Sequence, residues 1–103
     1  MAAGAAMINL RKMANGRDCE IRIPGVCNGN PYTTVLCHLP GGGMGYKQHD
    51  LLAAYGCSSC HDEVDGRTMK IVDRTKLRLW FMDGVIRTQQ ILIREGVIRV
   101  GSK

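Results

Sequence analysis

The sequence predicts a small α+β domain stapled by zinc, with a helical extension at its C-terminal end. Three observations lead there: two separated cysteine pairs, Cys19 with Cys27 and Cys57 with Cys60; short β-branched or alternating segments before the second pair; and apolar residues at helical spacing after Asp73. At 103 residues the chain has room for one core of modest stability, which a metal staple would supplement. Hydrophobic residues make up 45% but aromatics only 5%, so aliphatic side chains must supply most of the packing.

Leu10 to Ala14 reads as a short helix or turn, stopped by the loop dipeptide Asn15-Gly16. Glu20-Ile21-Arg22-Ile23 alternates polar and apolar, which predicts a strand or extended segment, and Pro24-Gly25 and Asn28-Gly29-Asn30-Pro31 supply turns. Thr33 to Leu36 is β-branched and apolar, and predicts the strand leading to His38. From Pro40 to Asp50 the glycine-rich run predicts a loop, and Leu51 to Tyr55 delivers the chain to Cys57. A helix is expected to start near Cys60, capped by Ser58 or Ser59, and to end between Gly66 and Met69. Asp73 is an acceptable N-cap for a second helix with Leu77, Trp80, Phe81, Ile86 and Ile91 on its apolar side, Gly84 as a point of kinking and Gly96 as its stop. The expected organisation is a leader over 1–9 and one domain over 10–103, with its core at 17–69 and the helical extension at 73–96.

No apolar run approaches the roughly 20 residues of a membrane span. Arg11 and Lys12 follow the first apolar stretch instead of preceding it, which argues against a secretory signal and for the cytoplasm. An odd number of cysteines, five, reads better as metal ligands plus one spare than as disulfides. The net charge of +5 is uneven: residues 1–65 carry five Lys/Arg against six Asp/Glu, residues 66–103 nine against three. That surplus suits a phosphate-bearing partner and equally suits a solubilising helix surface.

Cys19, Cys27, Cys57 and Cys60 are the right number and type of ligand for one tetrahedral structural Zn²⁺, and the C-x-x-C turn lets two sulfurs reach the same ion. Such a site ties the segment before His38 to the helix carrying His61. His61 and Asp65, four apart on one helix face, can share a divalent cation (Mg²⁺, Mn²⁺, Ni²⁺ or Zn²⁺); they also read as a surface histidine among the acids Asp62 and Glu63. His38, between a β-branched segment and Pro40, is seated as a general base would be. A base that takes a proton from water, opposite a metal that stabilises phosphoryl charge, suffices for phosphodiester hydrolysis. Arg67, Lys70 and Arg74 would share helical spacing if that helix ran far enough, and are candidates for phosphate contacts. His49 reads as a surface residue. Cys57-Ser58-Ser59-Cys60-His61 also matches the C-x-x-C-H pattern of covalent haem attachment, but that needs export and leaves Cys19 and Cys27 unexplained.

Leu10-Arg11-Lys12, the run from Cys19 through Ile23-Pro24-Gly25-Val26-Cys27 to Pro31, Cys57 to Asp65, Arg87-Thr88-Gln89 and Glu95-Gly96-Val97-Ile98 together resemble the small prophage-encoded YbcO-like nucleases. More broadly, the paired cysteines, strand-borne histidine and C-x-x-C-H knuckle resemble the HNH, or ββα-metal, superfamily. The resemblance implies a treble-clef-like ββα-metal core in which His38 activates water, His61 binds the catalytic cation and the four cysteines hold zinc. It implies a cytoplasmic, metal-dependent DNA endonuclease. Two positions depart from the HNH pattern: Cys37 stands where many of its members have an Asp or His ligand, and no asparagine occupies the motif's central position, Asp50 being the nearest polar residue. The alternative is a non-catalytic zinc module that binds nucleic acid or a phage or host protein.

Overall fold

The computed structural model describes residues 9–39, 49–99 and 101. Nearly all of the predicted leader and most of the glycine-rich loop lie outside the described residues. What the structure shows is a small α+β domain: a short helix α1 (Leu10–Ala14), two strands β1 (Val35–Cys37) and β2 (Ala54–Gly56), a helix α2 (Ser58–Val64) and a long helix α3 (Arg74–Arg94). Single 3-10 turns at Pro31–Thr33 and Asp50–Leu52 lead into the two strands. No helix among the described residues is long and apolar enough to cross a membrane.

The strands pair antiparallel, with Val35 opposite Gly56, Leu36 opposite Tyr55 and Cys37 opposite Ala54. A two-stranded ribbon is marginal by itself, and α3 covers β2 to complete it. Thr88 makes the key link: its hydroxyl accepts the Tyr55 N–H at 3.0 Å and donates to the Gly84 carbonyl at 2.8 Å. The Tyr55 carbonyl accepts the Glu20 N–H at 2.7 Å. Residues 20–23 nevertheless form no strand, contrary to their alternation. Arg22 adopts a left-handed φ of 54° and its N–H turns back onto the Cys19 sulfur at 3.5 Å, so the segment makes one ladder bond and then curls. Ile21 and Ile23 are buried because of that curl.

Helix α2 begins earlier than the serines suggest. Cys57 is the N-cap, its sulfur accepting the Cys60 N–H at 3.4 Å, while both serine hydroxyls accept from the Asn28 side-chain amide. The helix ends at Val64, so Arg67, Lys70 and Arg74 do not share a helix face. Gly66, at φ 81°, turns the chain out of it.

Helix α3 starts at the predicted cap, with Asp73 accepting the Lys76 N–H at 3.1 Å, and Gly96 follows its end. It is one unbroken helix through Gly84. A Cβ at position 84 would lie 3.0 Å from the Ile21 Cα and 3.2 Å from the Glu20 carbonyl oxygen, so glycine permits α3 to touch the backbone of the Cys19 segment. The buried face is Leu77, Phe81, Gly84, Val85, Thr88 and Leu92. Ile86, predicted to face inward, is instead 53% exposed, and Trp80 and Ile91 are only half-buried, because the Gly84 approach rotates the core stripe onto the 77–81–84–88 line. Two clusters result. One packs Leu77, Phe81 and Val85 against Ile21, Ile23 and the cysteines; the other packs Leu92 against Tyr55, Leu36, Leu10 and Ala14.

Glu63, wholly buried, organises the connection between α2 and α3. Its carboxylate accepts from the Thr68 hydroxyl at 2.6 Å, the Ile71 and Lys70 N–H groups at 2.8 and 3.1 Å and the Arg74 guanidinium at 3.2 Å. Arg74 also donates to the Glu63 and Ile71 carbonyls. Burial alone would raise this carboxyl; the four donors outweigh it and hold the group below its ordinary range.

Two stability predictions follow from this packing. Glu63→Gln should lower unfolding free energy in urea by roughly 3 kcal/mol, since it breaks a buried charge pair and its hydrogen bonds. The wild-type advantage over that variant is present above the ordinary Glu range and lost as pH falls through the depressed folded value; an advantage that persists unchanged under strongly acidic conditions would refute the charged assignment. Gly84→Ala should destabilise by roughly 1–3 kcal/mol despite alanine's better helix propensity, because two of the three atoms it meets, the Ile21 Cα and the Glu20 carbonyl oxygen, are backbone.

Candidate functional site

Cys19, Cys27, Cys57 and Cys60 place their sulfurs within 4.8 Å of one another. The Cys57 and Cys27 sulfurs are 3.8 Å apart, and tetrahedral Zn²⁺ with bonds of about 2.3 Å calls for a separation of about 3.8 Å. Three backbone N–H groups point at the sulfurs: Arg22 at Cys19, and Asn28 and Cys60 at Cys57. Amides so aimed stabilise thiolates. The protons tell the same story. A hydrogen bond from Cys60 lowers the Cys19 thiol to about 4, and that same bond pushes Cys60 far up; burial pushes Cys27 up to about 11. Four thiolates cannot coexist here without a cation to replace their protons. The cluster is thus compatible with structural zinc. Cys37 is not a member: it is fully buried, and burial, with the charges of Asp65, Cys19 and Cys57, keeps its thiol protonated.

His38 leaves β1 one residue after Cys37, with its side chain 11% exposed. Its Nε2 lies 2.7 Å from Asp50 Oδ1, at the start of the 3-10 turn before β2, and Arg11 on α1 approaches the same oxygen at 3.5 Å. The bond to His38, then the Arg11 charge, holds the Asp50 carboxyl below its ordinary range against partial burial. A charged Asp50 accepts, so Nε2 is the nitrogen that donates to it, and Nδ1 takes no part in that bond. Sequence reasoning had no partner for His38; the available signal was that Asp50 is the polar residue that closes the glycine-rich loop.

Helix α2, which carries the second pair, packs on β1. His61 Nε2 and Asp65 Oδ2 are 3.5 Å apart, one turn apart on α2. The Asp65 charge is felt at Cys37, the neighbour of His38. Among the described residues no third His, Cys, Asp or Glu joins either histidine pair. Of the basic candidates, Arg67 stands at the end of α2, 3.6 Å from Asp62 and 3.7 Å from Asp65. Lys70 lies in the connection, its N–H bound to Glu63, and Arg74 is committed to Glu63. His49 is exposed, its Nδ1 accepting the Leu51 N–H. A cavity of about 230 Å³ is lined by Leu39, Val64, Arg74, Leu77, Arg78 and Phe81; none of the histidines lines it.

The geometry has counterparts in known proteins. Residues 8–97 match the family model described as "Putative nuclease YbcO". The chain is 50% identical over 96 residues to "Putative nuclease YbcO" of Escherichia coli (strain K12), spanning 90% of this chain and 99% of that one. It is equally similar to "Putative nuclease ybcO" of Enterobacteria phage 82. A solved structure described as a "putative bacteriophage protein" from Escherichia coli str. K-12 substr. MG1655 superposes with a TM-score of 0.74 at 48% identity, covering 85% of this chain and all of that one. With a cysteine frame, a hairpin and a long C-terminal helix in this order, and half of its residues shared over nearly full length, the chain belongs to the prophage-encoded YbcO nuclease family.

Proposed function

We propose that this protein is a metal-dependent endonuclease that hydrolyses phosphodiester bonds of DNA, on a ββα-metal (HNH) arrangement of β1, β2 and α2. The His38–Asp50 pair carries this reading, because a carboxylate that fixes an imidazole by one nitrogen leaves the other to take a proton from water. In the proposed reaction, His38 Nδ1 accepts that proton as the water oxygen attacks phosphorus. Asp50 holds the ring in place and stabilises the imidazolium that forms. His61 and Asp65 would hold a divalent cation (Mg²⁺, Mn²⁺, Ni²⁺ or Zn²⁺), whose chemistry would be to supply positive charge to the phosphate and the leaving oxygen. In this reading Arg67 and Lys70 contact flanking phosphates, whereas Arg74, bound to Glu63, seats α3 on α2. The four cysteines would hold structural zinc and tie the segment before His38 to the helix that carries His61.

One observation favours a second reading. Cys37, at the position where many HNH enzymes carry a ligand, is wholly buried and offers none. A non-catalytic zinc module binding nucleic acid would show no turnover with any cation and an affinity that falls steeply with salt.

Conversion of supercoiled plasmid to nicked or linear forms, scanned over the four cations, separates the readings. His38→Ala should lower the rate by roughly 10²–10⁴-fold, and Asp50→Asn by roughly 10–100-fold, the scale for partners that orient a functional imidazole. Equal cleavage by wild type and His38→Ala would remove His38 from the chemistry. For the metal frame, Cys60→Ser should lose bound zinc and cooperative melting together, because metal binding is part of the folding free energy of so small a domain. Cys37→Ser should keep its zinc; loss of metal there would mean that the cluster is drawn wrongly.

A further inference from the structure

Helix α3 is apolar on two opposite faces. One is its core stripe. On the other, Leu79, Met82, Ile86 and Ile93 are 61%, 43%, 53% and 49% exposed. At the rotation of an α-helix these four fall within a stripe about 60° wide, turned away from Leu77, Phe81 and Leu92. Solvated helix faces are ordinarily polar, so this stripe has no role in the folded chain.

We propose that the stripe is the seam of a parallel, two-stranded coiled coil between α3 and the α3 of a second copy of this chain. The spacing 79, 82, 86, 93 is that of a heptad with Leu79, Ile86 and Ile93 at a and Met82 at d; Thr75 and Gln89 are the other d positions, Gln89 donating to its own Leu51 carbonyl at 2.6 Å. Polar residues at single core positions are a device that specifies register and oligomer state at a cost in stability. The helix is 21 residues long, three heptads.

Charge identifies the occupant as another copy and sets the direction. In a parallel pair the residue before a faces the residue after d, five positions on, in the partner helix. Here those positions hold Arg78 and Asp83. Both are exposed, and neither makes an ion pair among the described residues. In register, Arg78 of each copy meets Asp83 of the other, twice across the twofold axis, the self-complementarity that an isologous contact needs. The other flanking positions cannot oppose this. Val85, Leu92 and Gln90 are uncharged, and Lys76 lies over its own Trp80 ring at 5.5 Å. A phosphate backbone is a poor occupant, because the stripe itself holds no cation.

The test is sedimentation equilibrium of the full-length, zinc-loaded chain. A dimer mass at micromolar concentration is expected. Ile86→Asp should give a monomer with unchanged helicity and zinc content, since position 86 makes no core contact. Arg78→Glu alone should weaken association several-fold, and the doubly swapped Arg78→Glu/Asp83→Arg should recover it. A wild-type chain that stays monomeric at roughly 100 μM, too weak for a specific dimer, would overturn the proposal, whatever else the stripe might meet. So would a dimer indifferent to Ile86→Asp. A dimer that forms but is not recovered by the double swap would eliminate the parallel register.

Discussion

Four sulfur atoms drawn within 4.8 Å of one another determine where everything else in this chain lies. Cys19 and Cys27 come from a segment with little regular structure; Cys57 and Cys60 come from the turn that opens α2. Bringing them together wraps Ile21 and Ile23 over the hairpin and gives the first core cluster its centre. The Cys57 sulfur belongs to the cluster and also caps α2, so the start of the helix that bears His61 is set by the same atom that closes the metal frame.

The two histidine pairs differ in character. His38 is nearly enclosed and its carboxylate partner is backed by Arg11 from α1, so groups from three separate segments converge on one carboxylate oxygen. His61 and Asp65 are a single-helix pair, more open, with an exposed arginine leaning toward the carboxylate. The hydrolytic reading proposed above assigns the enclosed ring to proton transfer and the more open pair to the cation.

Much of this was legible in the sequence because it is local. The bounds of α1 and the Asp73 cap each depend on a few adjacent residues, and the cysteine frame, although it spans distant segments, is marked by the type and number of its ligands. The strand expected at 20–23 failed for a reason that periodicity cannot see: alternation of buried and exposed side chains also arises when a residue such as Arg22 turns left-handed toward a sulfur. Arg67, Lys70 and Arg74 would share a face only if α2 ran on past its expected end; it stops at Val64, and Glu63, which reads as one more surface acid, is buried and gathers the following backbone onto itself. Asp50 and His38 are twelve residues apart across a loop, and nothing in their spacing announces a contact. Pairings of ordinary polar side chains closed through tertiary structure were hidden; the cysteine frame was legible across the same kind of distance because few other arrangements use four such ligands.

Helix α3 is tied at three heights. Arg74 binds Glu63 at its start, Gly84 and Thr88 clasp the hairpin and the Cys19 segment at its middle, and just past its end Glu95 forms a two-pronged pair with Arg17, whose guanidinium also lies over the Tyr55 ring. Each tie demands a particular azimuth. One residue inserted or deleted between Arg74 and Glu95 would swing everything beyond it by about 100°, leaving at least one tie facing the wrong way. In evolutionary terms this helix is free to vary in what it displays, yet its length is as constrained as the cysteine spacing, and natural indels in relatives should fall in the connections and not inside it.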